Sequence, residues 1–129
     1  MTTYSILITH PPSDVTQTIA AQQFSDQICQ QGHTLNNVFF YGDGIHHANA
    51  LSLAPGDEHA VYAHWCEVQR TTNCELLVCI TAAVKRGVVS AEEASKAEED
   101  MFNLRPPFTQ AGLGEFFSAL HECEKLVQF

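Results

Sequence analysis

The amino-acid sequence predicts an α/β fold, a three-layer sandwich around a mostly parallel central sheet, formed as one domain over residues 1–129. Two observations carry that expectation. Strand-like and helix-like runs alternate from end to end, the order that right-handed crossovers turn into parallel strands. A chain of 129 residues with 45% apolar content can also build one core, and no repeat, low-complexity tract or linker divides it.

The elements follow in order. "YSILIT" (4–9) alternates and is rich in β-formers, so it reads as a strand that Pro11 and Pro12 stop. Residues 15–31 place Ile19, Ala20, Phe24, Ile28 and Cys29 at helical spacing, with Gly32 as the C-terminal cap. "LNNVFFY" (35–41) is a second strand, ended by the turn signal "GDG" at 42–44, and a short helix is expected at 45–51. After a loop around Pro55-Gly56, Asp57 is positioned to cap a helix over 57–73 whose apolar stripe is Val61, Trp65 and Val68.

"CELLVCI" (74–80) is the third strand, followed by a short helix at 81–86. Ser90 and Glu93 have the spacing of a capping box opening a helix over 91–100. "NLRPPFTQAGLG" (103–114) reads as a loop, "EFFSALHEC" (115–123) as a helix and "KLVQF" (125–129) as a closing strand.

Charge and composition exclude several functions. A formal charge of −9 with only six Lys and Arg argues against a nucleic-acid surface, which needs clustered positive charge. The acidity reads most simply as a solvated surface, with a basic protein partner as the other reading. "MTTYSILITHPP" lacks the basic start and apolar core of a signal peptide, and no run approaches the roughly 20 apolar residues of a membrane helix, so a cytoplasmic protein without membrane contact is expected.

The five cysteines, Cys29, Cys66, Cys74, Cys79 and Cys123, form no CxxC pair and no even framework. In a reducing compartment each is then a packing residue or a reactive thiol. Cys79 stands out by position. It lies near the carboxyl end of a strand, where parallel sheets place their ligand sites, and just before a helix start whose N–H groups favour thiolate over thiol. Lys85 and Arg86 follow as candidate thiolate stabilisers if they fold back. Such a constellation suits a persulfide carrier, and a buried packing cysteine fits the same pattern from physics alone.

The remaining motifs point elsewhere. His46 and His47, with Asp43 and His10, invite a metal reading, but adjacent histidines make a poor ligand pair and exposed loop histidines are the plainer account. His59 and His64, five apart on the expected helix, read as surface or rim residues. "GDG" lacks the spacing of a phosphate loop. The acidic run Glu92, Glu93, Glu98, Glu99 and Asp100 reads as a solvated helix face. Phe102, Phe108, Phe116 and Phe117 read as core, or as a subunit interface if exposed. Neither a cofactor nor a metal is expected.

Three stretches together resemble the DsrE/TusD family of small sulfur-relay proteins. "HTLNNVFFYGDGIHHAN" (33–49) is similar to the family's FFY-x-x-G-x-x-x-AN block, carried here by Phe39, Phe40, Tyr41, Gly44, Ala48 and Asn49. "CITAAVKRGVV" (79–89) resembles its cysteine, short helix and Arg-Gly-Val. "GLGEFFSALHECEKLVQF" (112–129) ends on the family's VQF, here Val127, Gln128 and Phe129. The wording of the motifs is nearest the TusD-like members.

The resemblance implies a DsrE-like fold, a sulfurtransferase activity and Cys79 as the persulfide carrier. It implies a hetero-oligomer with two related subunits, in the family's usual form two copies each of three chains. TusD-like members relay sulfur from a TusA-type donor to a TusE-type acceptor for tRNA wobble 2-thiouridine. DsrE-like members work in dissimilatory sulfur oxidation towards a DsrC-type acceptor. Both use the same thiol at the same place, and both stay open here. The readings outside sulfur transfer are a non-catalytic structural subunit and a flavodoxin-like small-molecule binding module.

Overall fold

Parallel strands need long crossovers, and this chain supplies them with helices. In a computed structural model describing residues 1–129, the order is β1 (Thr3–Ile8), α1 (Val15–Gln30), β2 (Thr34–Phe40), a 3₁₀ segment (Gly42–Ala48), α2 (Val61–Thr72), β3 (Glu75–Cys79), α3 (Ile80–Lys85), α4 (Ala91–Lys96), β4 (Phe108–Ala111), α5 (Leu113–Leu120) and β5 (Lys125–Gln128). The five strands form one sheet in the order β4-β3-β2-β1-β5, and every pairing is parallel.

Alternation along β2 sorts the layers, because successive side chains leave a strand on opposite faces. Phe40 packs edge-on against Trp65 of α2, while its neighbour Phe39 stacks on Phe116 of α5 with ring centroids 4.3 Å apart. Tyr4 on β1 meets Phe24 of α1 on the α2 side. Helices α1 and α2 therefore cover one face and α5 the other, giving the three layers. Phe39 pairs in register with Leu77, so Leu77 and Cys79 face the α5 side.

α1 opens on Asp14, whose carboxylate accepts from the Gln17 N–H, and closes on Gly32 at φ +83°. There the N–H groups of Gly32 and His33 donate to the Cys29 and Ile28 carbonyls, a Schellman ending that only a residue tolerant of positive φ allows cheaply. The face α1 buries is only in part the expected one: Ile28 is inside and Phe24 packs on the core as expected. Thr18, Ala21, Gln22, Ser25 and Ile28 are inside, while Ala20 and Cys29 are exposed. The polar members are satisfied: Gln22 Nε2 donates to the Val61 carbonyl, Ser25 Oγ to the Ala21 carbonyl, and Thr18 Oγ1 meets His10 Nε2 at 3.2 Å.

Other boundaries also moved. α2 starts at Val61 and not at Asp57, and its cap Ala60 offers no side-chain acceptor. Ser90 does cap α4 by accepting from the Glu93 N–H, but the helix ends at Lys96, and Glu98 at φ +59° lies beyond it. α5 begins two residues earlier than expected and stops at Leu120. The short helix after β2 is a 3₁₀ segment that takes in the "GDG" turn. The largest difference is β4, inside what reads as a loop, which pairs with β3 and turns four expected strands into five.

No helix is long and apolar enough to cross a membrane.

Candidate functional site

Cys79 is the last residue of β3 and the N-terminal cap of α3. The apolar run Leu76–Val78 anchors it from behind, and the residue is only 4% exposed. Its outlet is a cleft of about 420 Å³ at the carboxyl ends of β2, β3 and β4. Tyr41 and Gly42 line it from the start of the 3₁₀ segment, Lys85 and Arg86 from α3, and Gly112 and Leu113 from the start of α5. Ala111 pairs with Cys79 across β3 and β4, so the unforeseen strand brings Gly112 to the thiol. Nothing lies within 4 Å of where a side chain on Gly112 would begin, which leaves that wall open.

The sequence left the direction of Lys85 and Arg86 undecided, and both fold back to this cleft. Their situations differ. Arg86 Nε donates to Asp43 Oδ1 at 3.0 Å, and its Nη1 donates to the Ala82 carbonyl at 3.1 Å. Asp43 stands in the 3₁₀ segment, so the pair ties that segment to α3. Lys85 makes no ion pair.

Gly44 explains why the 3₁₀ segment can sit so close to β1. A Cβ there would lie 2.1 Å from the Ile8 carbonyl oxygen, the same oxygen that accepts from the Tyr41 N–H. Asn49, at the end of the same block, holds a second region. Its Oδ1 accepts from the Leu51 N–H and from Asn103 Nδ2, and Asn103 Oδ1 accepts from the Val89 N–H. The closing Phe129 is bonded to Leu7 of β1 and to Thr9 just beyond it, and touches Phe24.

The histidines correct the sequence reading. His47 is not an exposed loop residue but is buried at 1% exposure. Its Nδ1 accepts from Trp65 Nε1 at 3.0 Å, so the ring proton sits on Nε2, which donates to the His10 carbonyl at 3.1 Å. Burial, helped by nearby His10, lowers its pKa to about 3. With both nitrogens engaged the ring is unavailable to a metal, and no group of three or more potential metal ligands converges in the molecule. Neither His46 nor His47 lines the Cys79 cleft. His59 and His64 do meet, with ring centroids 5.4 Å apart, because His59 precedes α2 and escapes the helical spacing.

Among the other thiols, burial pushes Cys74 up to about 11 and raises Cys66 and Cys123. Gly112 and Leu113 carry no sequence signal as cleft residues beyond the "GLG" loop, and Tyr41 is marked only as part of the FFY block.

An all-parallel sheet with a strand-end cysteine facing a partly cationic cleft defines a class of thiol-bearing α/β protein. Comparison with known proteins narrows it. The DsrE/DsrF-like family model matches residues 3–129, and the chain belongs to that family. It is 36% identical over 129 residues to the sulfurtransferase TusD of Serratia proteamaculans strain 568, covering 100% of both chains. It is 35% identical over 126 residues to the sulfurtransferase TusD of Salmonella dublin, covering 98% of each. The crystal structure of the ychN protein from E. coli matches in fold with a TM-score of 0.71 at 16% identity, over 100% of both chains. The resemblance read from the sequence stands, and so does the expectation of a sulfurtransferase acting in a sulfur relay.

Proposed function

We propose that this chain, as a single domain in the cytoplasm, carries persulfide sulfur on Cys79 and passes it between protein thiols. The observation that carries the reading is the placement of Cys79 at the carboxyl end of β3, with a cleft as its outlet and cations in the wall. The Cys79 thiolate attacks the outer sulfur of a donor persulfide, that sulfur–sulfur bond breaks, and the donor sulfur leaves with the electron pair. An acceptor thiolate then attacks the outer sulfur of the Cys79 persulfide and releases Cys79 as thiolate. Neither step is a net oxidation, so no cofactor is required.

The finer reading follows the TusD relatives. The donor is a TusA-type protein, the acceptor a TusE- or DsrC-type protein, and the end product tRNA wobble 2-thiouridine. The chain works beside two related subunits in a hetero-oligomer and makes no direct nucleic-acid contact. The motif block 39–49 and the terminal Val127-Gln128-Phe129 support the family reading, and the charge of −9 supports transfer between proteins.

Peptide mass spectrometry after incubation with a persulfidated TusA-type donor, with and without partner subunits, tests this. One added sulfur on the Cys79 peptide, lost in Cys79→Ser, is the expected result. Sulfur transfer by Cys79→Ser at the wild-type rate overturns it.

A further inference from the structure

Two anions meet when an ionised donor brings sulfur to Cys79. The nucleophile is a thiolate, and a persulfide, more acidic than a thiol, is itself largely ionised near neutral pH. Their mutual repulsion opposes the encounter, and a surrounding protein of formal charge −9 adds to it. A fixed cation in the cleft offsets both effects.

Lys85 and Arg86 both line the cleft, but they are not equivalent. Asp43 neutralises Arg86 from 3.0 Å, and the Ala82 carbonyl takes a second guanidinium donor. Arg70 is paired with Glu67, and Lys96 with Glu92 and Glu93. Lys85 is exposed, outside every ion pair, and set in the wall of a cavity large enough for the tip of an incoming side chain. We infer that Lys85 makes the Cys79 cleft selective for anionic sulfur carriers, while Arg86, held by Asp43, is a positioning residue that shapes the wall. This rests on the carrier reading of Cys79 and adds the residue that sets its specificity: Lys85, which favours ionised persulfides, R–S–S⁻, over neutral sulfur compounds.

The charge balance is consistent. Thiolate plus R–S–S⁻ gives the Cys79 persulfide anion plus R–S⁻, two negative charges before and after, with one sulfur–sulfur bond broken and one formed. An ammonium group beside the cleft lowers the energy of the doubly anionic encounter and stabilises the departing thiolate.

The test needs no sulfur transfer. Full-length chain is alkylated with iodoacetate, an anion, or with iodoacetamide, its neutral analogue, and the rate at Cys79 is read by peptide mass spectrometry, with exposed Cys29 as internal reference. The iodoacetate-to-iodoacetamide rate ratio is expected to be higher at Cys79 than at Cys29. It should fall about two- to five-fold in Lys85→Gln, the size one unit charge gives in water-like surroundings. Lys85→Arg should retain it, and raised salt should reduce it. Asp43→Asn, which frees Arg86, should raise the ratio, a change that a merely structural Asp43 would not produce. An unchanged ratio in Lys85→Gln, or an equal fall in Arg86→Gln, overturns the inference. If Cys79 still takes up sulfur in that case, the carrier reading survives alone. Alkylation of Cys79 no faster than buried Cys74 by either reagent, with or without partner subunits, overturns both.

Discussion

Trp65 Nε1 donates to His47 Nδ1 at 3.0 Å inside the core, and that one bond fixes the histidine as a neutral donor through Nε2. A second ring proton would have to face the indole N–H. The consequence is a pH dependence of stability. The folded-state pKa is about 3 against 6.5 for a free histidine, so between those values the unfolded chain binds a proton that the folded chain does not. His47 therefore contributes stability fully above pH 6.5, and the contribution is lost as pH falls towards 3, by up to about 1.4 kcal/mol per pH unit. Urea denaturation at pH 7 and pH 4.5 should show wild type losing about 2 kcal/mol more than His47→Gln over that interval. Equal losses would mean that His47 is not held neutral.

Gly44 and Gly114 should respond oppositely to the same substitution. At Gly44 a methyl group would collide with the Ile8 backbone, which cannot swing aside because its carbonyl is bonded to the Tyr41 N–H. Gly44→Ala is expected to cost about 3 kcal/mol or more. Gly114 lies within α5 with open space around it, so Gly114→Ala should stabilise by about 0.5–1 kcal/mol. Denaturant midpoints of the two variants moving in the same direction would contradict the packing argument.

Asn49 and Asn103 form a clasp between the end of the 3₁₀ segment and the excursion from Gly87 to Leu104. Beyond the side-chain bonds, the Ala50 N–H donates to the Asn103 carbonyl, and the Asn103 and Leu104 N–H groups both donate to Val89. Asn49→Ala removes one acceptor that serves two donors. It should cost about 1–2 kcal/mol and speed hydrogen exchange at Ala50, Val89, Asn103 and Leu104 before exchange rises in β2 or β3. Uniform acceleration across the chain would show that the clasp does not open locally.

Much of this organisation was legible because it is local. Strands β1 to β3 announce themselves by runs of β-forming and apolar residues, and α1 by apolar residues at helical spacing ended at Gly32. Cys79 could be found because strand-end position is a property of sequence order. What escaped depends on partners distant in the chain. β4 is four residues beside two prolines and becomes a strand only because β3 offers an open edge. α1 buries Gln22 and Ser25 because acceptors and donors on α2 and on its own backbone satisfy them, which no periodicity of apolar residues reports.

The same reason hid His47. Two adjacent histidines after "GDG" look solvated until Trp65, eighteen residues later, supplies a donor in the core. In the sequence Asp43 reads as part of a turn or as a metal ligand beside the histidines, because its partner Arg86 lies 43 residues away. Lys85 and Arg86 are neighbours of the same charge, and only their three-dimensional surroundings separate a neutralised cation from a free one.

Phe116 provides the last test, because it joins packing to the site. It is the one residue of α5 that is fully inside, stacked on Phe39, whereas its neighbour Phe117 is 57% exposed. The start of α5 also forms one wall of the cleft through Gly112 and Leu113. Phe116→Ala removes the main anchor of that helix and should cost about 3 kcal/mol or more. Some of that loss should appear as local opening of α5, since the sheet beneath keeps its other contacts. Iodoacetamide should then label Cys79 several-fold faster in Phe116→Ala than in wild type under native conditions, while Phe117→Ala leaves the rate unchanged. A Cys79 rate that stays at the wild-type value in Phe116→Ala, with global stability reduced as expected, would mean that α5 does not govern access to the thiol.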